Sequence, residues 1–99
     1  MEHLISMQDI SKEDILHFVD IAGKIEHDDL SPDLNGQLAA LLFLEPSTRT
    51  KFSFETAMKK LGGTALSLKD AEQTSLKKGE SLHDTLMTIS QYVDLVIMR

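Results

Sequence analysis

Apolar positions along this chain alternate between a helical period and short unbroken runs. From Ser11 onward, Ile15, Phe18, Val19, Ala22 and Ile25 recur at the 3.6-residue spacing of one helix face. Ser11 with Asp14 three residues on is a variant of the capping box, and Ile10 and Ile15 sit where a hydrophobic staple would form. Gly23 weakens that helix without ending it. The acidic stretch Glu26 to Asp29, followed by Ser31-Pro32-Asp33 and Asn35-Gly36, predicts loop and turn. Leu38 to Leu44 is then continuously apolar between turn residues, which predicts a strand covered on both faces. Glu45-Pro46 stops it.

A second helix is expected from Ser47 to Leu61. Phe54, Ala57, Met58 and Leu61 form its apolar face, Lys59 and Lys60 suit its C-terminal dipole, and Gly62-Gly63 ends it. Thr64 to Leu68 reads as a second strand and the polar Lys69 to Gly79 as a surface loop. A third helix begins near Ser81, with Leu82, Leu86, Ile89 and Val93 on one face and Asp94 at its end. Leu95 to Met98 reads as a third buried strand, followed by Arg99. Strands alternating with helices indicate an α/β fold with a largely parallel sheet, whose right-handed crossovers put helices on the sheet faces. Three strands look like part of a sheet.

Composition narrows the function classes. The 99 residues allow one domain at most, and 41% hydrophobic with 26% charged residues is ordinary for a soluble protein. A net charge of −6 argues against nonspecific nucleic-acid binding, which needs a basic surface. Without cysteine there is neither a disulfide nor a thiolate metal site, and a cytoplasmic location is the default. The first residues lack the pattern of a signal peptide, and the longest apolar run is too short to span a bilayer. The four histidines show no metal-ligand spacing. His17 and His83 fall away from the apolar stripes and read as surface side chains. No metal or cofactor is expected.

Three segments carry candidate chemistry. Ser47-Thr48-Arg49-Thr50 opens a helix directly after the first buried strand, at the sheet edge where ligands bind in open α/β folds. Such a helix start offers unpaired N–H groups and a positive dipole end. Three hydroxyls and the planar guanidinium of Arg49 complete a cradle for a phosphate dianion. Capping preference alone would also explain the hydroxyls, and a first-turn Arg is often merely solvated. Thr74-Ser75-Leu76-Lys77-Lys78-Gly79-Glu80 places hydroxyls and ammonium groups on the predicted loop, where an anion clamp and a solvated basic turn are the two readings. Arg99 follows the third strand and so lies on the same edge as Ser47 to Thr50. Taken alone, it is equally an exposed cation.

Phe43 to Thr50, followed by Phe52-Ser53-Phe54-Glu55 and Ala57 to Gly63, closely resembles the carbamoyl-phosphate signature of the aspartate and ornithine carbamoyltransferases. Lys78 to Leu82, Asp84-Thr85, Val96 to Arg99 and the opening His3 to Ser6 extend the resemblance over essentially the whole chain. Glu45, where the ornithine enzymes usually carry Lys, and the Lys78-Gly79-Glu80 loop favour the aspartate branch. The resemblance implies a three-layer α/β carbamoyl-phosphate domain with a parallel sheet, incomplete here, with the aspartate-binding domain absent. It implies that Ser47, Thr48, Arg49 and Thr50 hold the phosphate and that Arg99 contacts carbamoyl phosphate. Lys78 would reach both substrates from a neighbouring subunit, and either Thr74 or Ser75, with Ser75 preferred, would supply a loop hydroxyl. The catalytic set would be Arg49, Thr50, Lys78 and Arg99. The implied reaction carbamoylates L-aspartate in pyrimidine synthesis, in a cytoplasmic homotrimer with or without a regulatory chain. Because family chains are about three times longer by resemblance, the chain alone is expected to be inactive. A noncatalytic phosphate-binding or assembly module and an ornithine-type fragment are the competing readings.

Overall fold

The computed structural model describes residues 3–67 and 81–99. The chain divides into two units, Met1–Pro32 and Asp33–Arg99. The first contains a single 3-10 turn, Met7–Asp9, and helix α1, Lys12–Glu26. The expected capping box is present: Ser11 Oγ accepts from the Asp14 N–H at 3.0 Å, and Asp14 Oδ2 accepts from the Ser11 N–H at 3.2 Å. At the other end Asp28 adopts φ 60°. The Asp28 N–H then donates to Ile25 O and the Asp29 N–H to Lys24 O, the Schellman pattern, with Asp in the left-handed position where Gly is usual. The predicted apolar stripe lies on α1, yet none of its residues is buried, Phe18 and Val19 being 44% and 65% exposed. Among the described residues this unit holds no second α-helix or strand to cover that face.

The second unit holds β1 (Leu38–Leu42), α2 (Thr48–Lys60), β2 (Thr64–Ser67), α3 (Leu82–Ser90) and β3 (Leu95–Met98). The three strands form one parallel sheet in the order β2-β1-β3. The predicted α/β class and the double-sided cover of the first strand are both borne out. Ala39, Ala40, Leu41, Leu42 and Phe43 are each at most 5% exposed and constitute most of the core. Central placement explains the unbroken apolar run, because both faces of β1 must be apolar.

Four expectations require correction. β1 ends at Leu42, not Leu44, although Phe43 stays buried beyond it. Among the described residues β3 pairs with β1 alone, and Leu95 and Met98 are about half exposed (51% and 46%), so the strand is not buried here as expected. α3 stops at Ser90, so Val93 and Asp94 lie outside it. The Gln91 and Tyr92 N–H groups tighten the end by donating to Thr88 O and Ile89 O. Asp94 serves the sheet instead: its N–H donates to Leu38 O at 2.8 Å, and its Oδ2 accepts from the Leu38 N–H at 2.9 Å. Finally, the apolar face assigned to α2 is rotated. Phe54 is 40% exposed and Ala57 is exposed, whereas the polar Lys51 and Glu55 are half-buried on the stripe of Met58, the one buried residue of α2. Leu68 and the predicted loop Lys69 to Gly79 lie outside the described residues.

The C-terminal end of α2 is firmly held. Gly62 takes φ 90°, its N–H donates to Lys59 O, and the Gly63 N–H donates to Met58 O at 2.8 Å, completing a second Schellman pattern. The Leu61 carbonyl accepts from the Leu34 N–H at 2.8 Å. Before β1, Asp33 Oδ1 accepts from the Asn35 N–H at 2.9 Å, and Gly36 supplies φ 82°, so the predicted turn is an Asx turn.

Candidate functional site

The parallel register brings the carboxyl ends of β1 and β3 to one edge of the sheet. Arg99 extends that ladder by one step. Its N–H donates to Leu42 O at 3.1 Å, and its carbonyl accepts from the Leu44 N–H at 2.9 Å. The backbone of Arg99 is therefore pinned beside the segment that leads into α2. From there its side chain spans to the start of the helix. Nη1 donates to Ser47 Oγ at 2.7 Å and to Thr50 Oγ1 at 3.0 Å. Ser47 and Thr50 stand three residues apart, the spacing that puts two side chains on one face of a first helical turn.

The use of Ser47 is informative by contrast. Among the described residues all three α-helices start from a Ser. Ser11 and Ser81 each turn their hydroxyl back to accept from an N–H three residues on. Ser47, at φ −153° and ψ 71°, makes no such bond, and its Oγ accepts from Arg99 instead. Capping preference therefore does not account for this hydroxyl. With Arg99 donating, the hydroxyl protons of Ser47 and Thr50 remain available to donate to an anion. The N–H groups of Thr48, Arg49 and Thr50 have no intrahelical partner by geometry, and no described hydrogen bond takes them. Nearby, Thr48 and Arg49 are exposed, and Arg49 makes no ion pair among the described residues.

The site thus concentrates one guanidinium braced by two hydroxyls, a second guanidinium at the helix start, and a first turn of free N–H donors. Such a set of donors suits a tetrahedral dianion. Residues 2–99 match the family model for the aspartate/ornithine carbamoyltransferase carbamoyl-P binding domain. The chain belongs to this family.

Among family members, the aspartate carbamoyltransferase catalytic subunit of Methanococcus vannielii is 50% identical over 106 residues, covering 100% of this chain and 34% of that protein. The subunit of Parabacteroides distasonis is 52% identical over 96 residues, covering 97% and 31%. Among solved structures, the catalytic subunit of M. jannaschii aspartate transcarbamoylase superposes with a TM-score of 0.88 at 48% identity, covering 100% of this chain and 34% of that one. The Trypanosoma cruzi enzyme, solved in complex with carbamoyl phosphate, gives 0.85 at 33% identity, covering 99% and 33%. The chain spans about a third of the length of these relatives.

Within this carbamoyltransferase domain, Ser47, Thr50 and Arg99 are brought into direct contact, with Thr48 and Arg49 on the same helical turn. Thr74, Ser75 and Lys78 lie outside the described residues. His17 and His83 are exposed, as expected of surface side chains. No described helix is long and apolar enough to cross a membrane. The residue reading missed two polar anchors. Glu55 Oε1 accepts from Ser67 Oγ at 2.7 Å, and Asp94 clamps Leu38. Glu55 stood inside the family signature, but nothing in helical periodicity marks a polar side chain as inward-facing. Asp94 adjoining the apolar run Leu95 to Met98 was a usable signal for a strand-end clamp.

Proposed function

We propose that this chain is the N-terminal portion of the carbamoyl-phosphate-binding domain of an aspartate carbamoyltransferase. The observation that carries the reading is the Arg99 guanidinium shared by Ser47 and Thr50 at the uncapped start of α2. The phosphoryl oxygens take the N–H groups and hydroxyls of Ser47 to Thr50 and the fork of Arg49. Arg99, held beside them by Ser47 and Thr50, contacts carbamoyl phosphate as well. The reaction needs no protein nucleophile, because the amino group of L-aspartate attacks the carbonyl carbon. Positive donors then stabilise the oxyanion and the departing phosphate, and holding both substrates together supplies proximity. By family resemblance Ser75 supplies a loop hydroxyl to the phosphate, and Lys78 reaches both substrates from an adjacent subunit of a cytoplasmic trimer. Glu45 favours aspartate over ornithine as acceptor.

Because the aspartate-binding domain is not among these residues, the 99 residues alone are expected to bind carbamoyl phosphate and the phosphonate bisubstrate analogue N-(phosphonacetyl)-L-aspartic acid but not to carbamoylate L-aspartate. Titration calorimetry with that analogue and with carbamoyl phosphate tests the site. Arg49→Ala should abolish measurable binding. Unchanged affinity in that variant refutes the assignment, and turnover by the isolated chain near that of a full-length relative refutes its inactivity.

A further inference from the structure

Helix α2 is anchored unevenly. Its C-terminal half is held by apolar packing and backbone bonds: Met58 is 6% exposed, and the Gly62-Gly63 turn closes onto Met58 and Lys59 carbonyls. Its N-terminal half has no buried residue, and Phe52 and Phe54 are 69% and 40% exposed. Among the described residues two polar ties hold that half and the middle of the helix: the Arg99 bonds to Ser47 and Thr50, and the bond from Ser67 Oγ to Glu55 Oε1 at 2.7 Å. The first tie consists of ligand-facing groups, which an arriving anion competes for. The second lies away from the anion. Ser67 is the last residue of β2, level with Leu41 in the ladder, so the Glu55 bond fastens the middle of α2 to the neighbouring strand near the same edge of the sheet.

We infer that Glu55, through Ser67, is a positioning residue for the phosphate site. It sets the rotation of α2 about its axis, and with it the aim of the first-turn N–H groups and hydroxyls, once Arg99 has turned to the ligand. The inference rests on the phosphate-binding reading of Ser47 to Thr50. A side chain that touches no ligand would then control affinity for one, as supporting contacts do when they fix the groups that bind.

The test is calorimetry of the 99-residue chain with N-(phosphonacetyl)-L-aspartic acid, alongside thermal melts. Glu55→Ala and Ser67→Ala should each weaken binding by roughly three- to tenfold, within the range for residues coupled to a site without contacting it. The double variant should be no weaker than the worse single, since both remove one bond. Glu55→Gln, which keeps an acceptor oxygen, should restore most of the affinity. Ser11→Ala, at the cap of α1, serves as the destabilised control and should lower the melting temperature without changing affinity. Wild-type binding with equal affinity in Glu55→Ala and Ser67→Ala overturns the positioning role and leaves the phosphate site standing. Absence of wild-type binding overturns both. Losses in Glu55→Ala and Ser67→Ala that Glu55→Gln does not restore, or that the Ser11→Ala control reproduces, also refute it.

Discussion

Arg99 offers the sharpest perturbation of the site, because its backbone and its side chain do separate jobs. The main chain is fixed by the bonds to Leu42 and Leu44, and those persist in any non-proline variant. Substitution therefore removes the guanidinium without moving the strand end. Of its five N–H donors, the two on Nη1 face Ser47 and Thr50, and the remaining three have no partner among the described residues. An anion can take those three first and then compete with the two hydroxyls for Nη1. A hydrogen bond involving a charged group contributes about 1.5–3 kcal/mol, so Arg99→Ala should weaken binding of a phosphonate by roughly ten- to 150-fold. Arg99→Lys separates charge from fork. The ammonium keeps the charge but is a point donor on a flexible stem, and it cannot brace two hydroxyls while facing a planar group. It should recover part of the loss, leaving a deficit of about tenfold, on the order of a single unreplaced hydrogen bond. Calorimetry at two salt concentrations reads both: the Ala variant should lose part of the salt dependence and the Lys variant should retain it. Affinity within twofold of wild type for Arg99→Ala would show that the guanidinium braces the helix and does not bind.

Two further substitutions probe the supports of the site. A Cβ on Gly63 would come within 2.7 Å of Met58 Cε, 3.2 Å of Gln37 O and 3.3 Å of Leu34 O. The methyl can swing aside but the two carbonyls cannot, so Gly63→Ala should cost about 1–3 kcal/mol of stability by overpacking, measured by urea denaturation. Asp94→Ala strips the Leu38 N–H of its side-chain acceptor at 2.9 Å and should cost about 1 kcal/mol, whereas Asp94→Asn, which keeps a carbonyl oxygen, should cost less. Equal losses in the two Asp94 variants would place the effect in charge instead of the hydrogen bond.

What could be read before the structure was decided by which interactions are local. The capping of α1 by Ser11 and Asp14, the stop at Gly62-Gly63 and the Asx turn at Asp33 each depend on residues within a few positions, and each is where the pattern puts it. The run Leu38 to Leu44 was legible as a central strand because two covered faces leave no position for a polar residue. The one-sided pairing of β3 among the described residues was not legible. Four apolar residues look alike whether one or both neighbouring strands are present, and only the order β2-β1-β3 distinguishes them. The rotation of α2 was illegible for a related reason. Periodicity assigns the apolar side of a helix inward, but here the inward stripe carries Lys51 and Glu55 beside Met58.

That rotation bears on how the candidate site arises. If Phe54 and Ala57 had packed inward, burial would hold α2, and the first turn would lie wherever the apolar fit left it. Burial is nondirectional and tolerates small rotations, whereas a hydrogen bond of 2.7 Å constrains both distance and angle. Holding the N-terminal half of α2 by Arg99, Ser47, Thr50, Glu55 and Ser67 therefore trades stability for aim. The same trade explains why Ser47 forgoes its cap. A capped Ser would satisfy a first-turn N–H internally and remove a donor that an anion needs. With the hydroxyl drawn to Arg99 instead, those N–H groups stay open, at a cost of about 1 kcal/mol for the missing cap. On the proposed reading, a bound phosphate would recover that cost, because it would supply the acceptor that the helix start was left without.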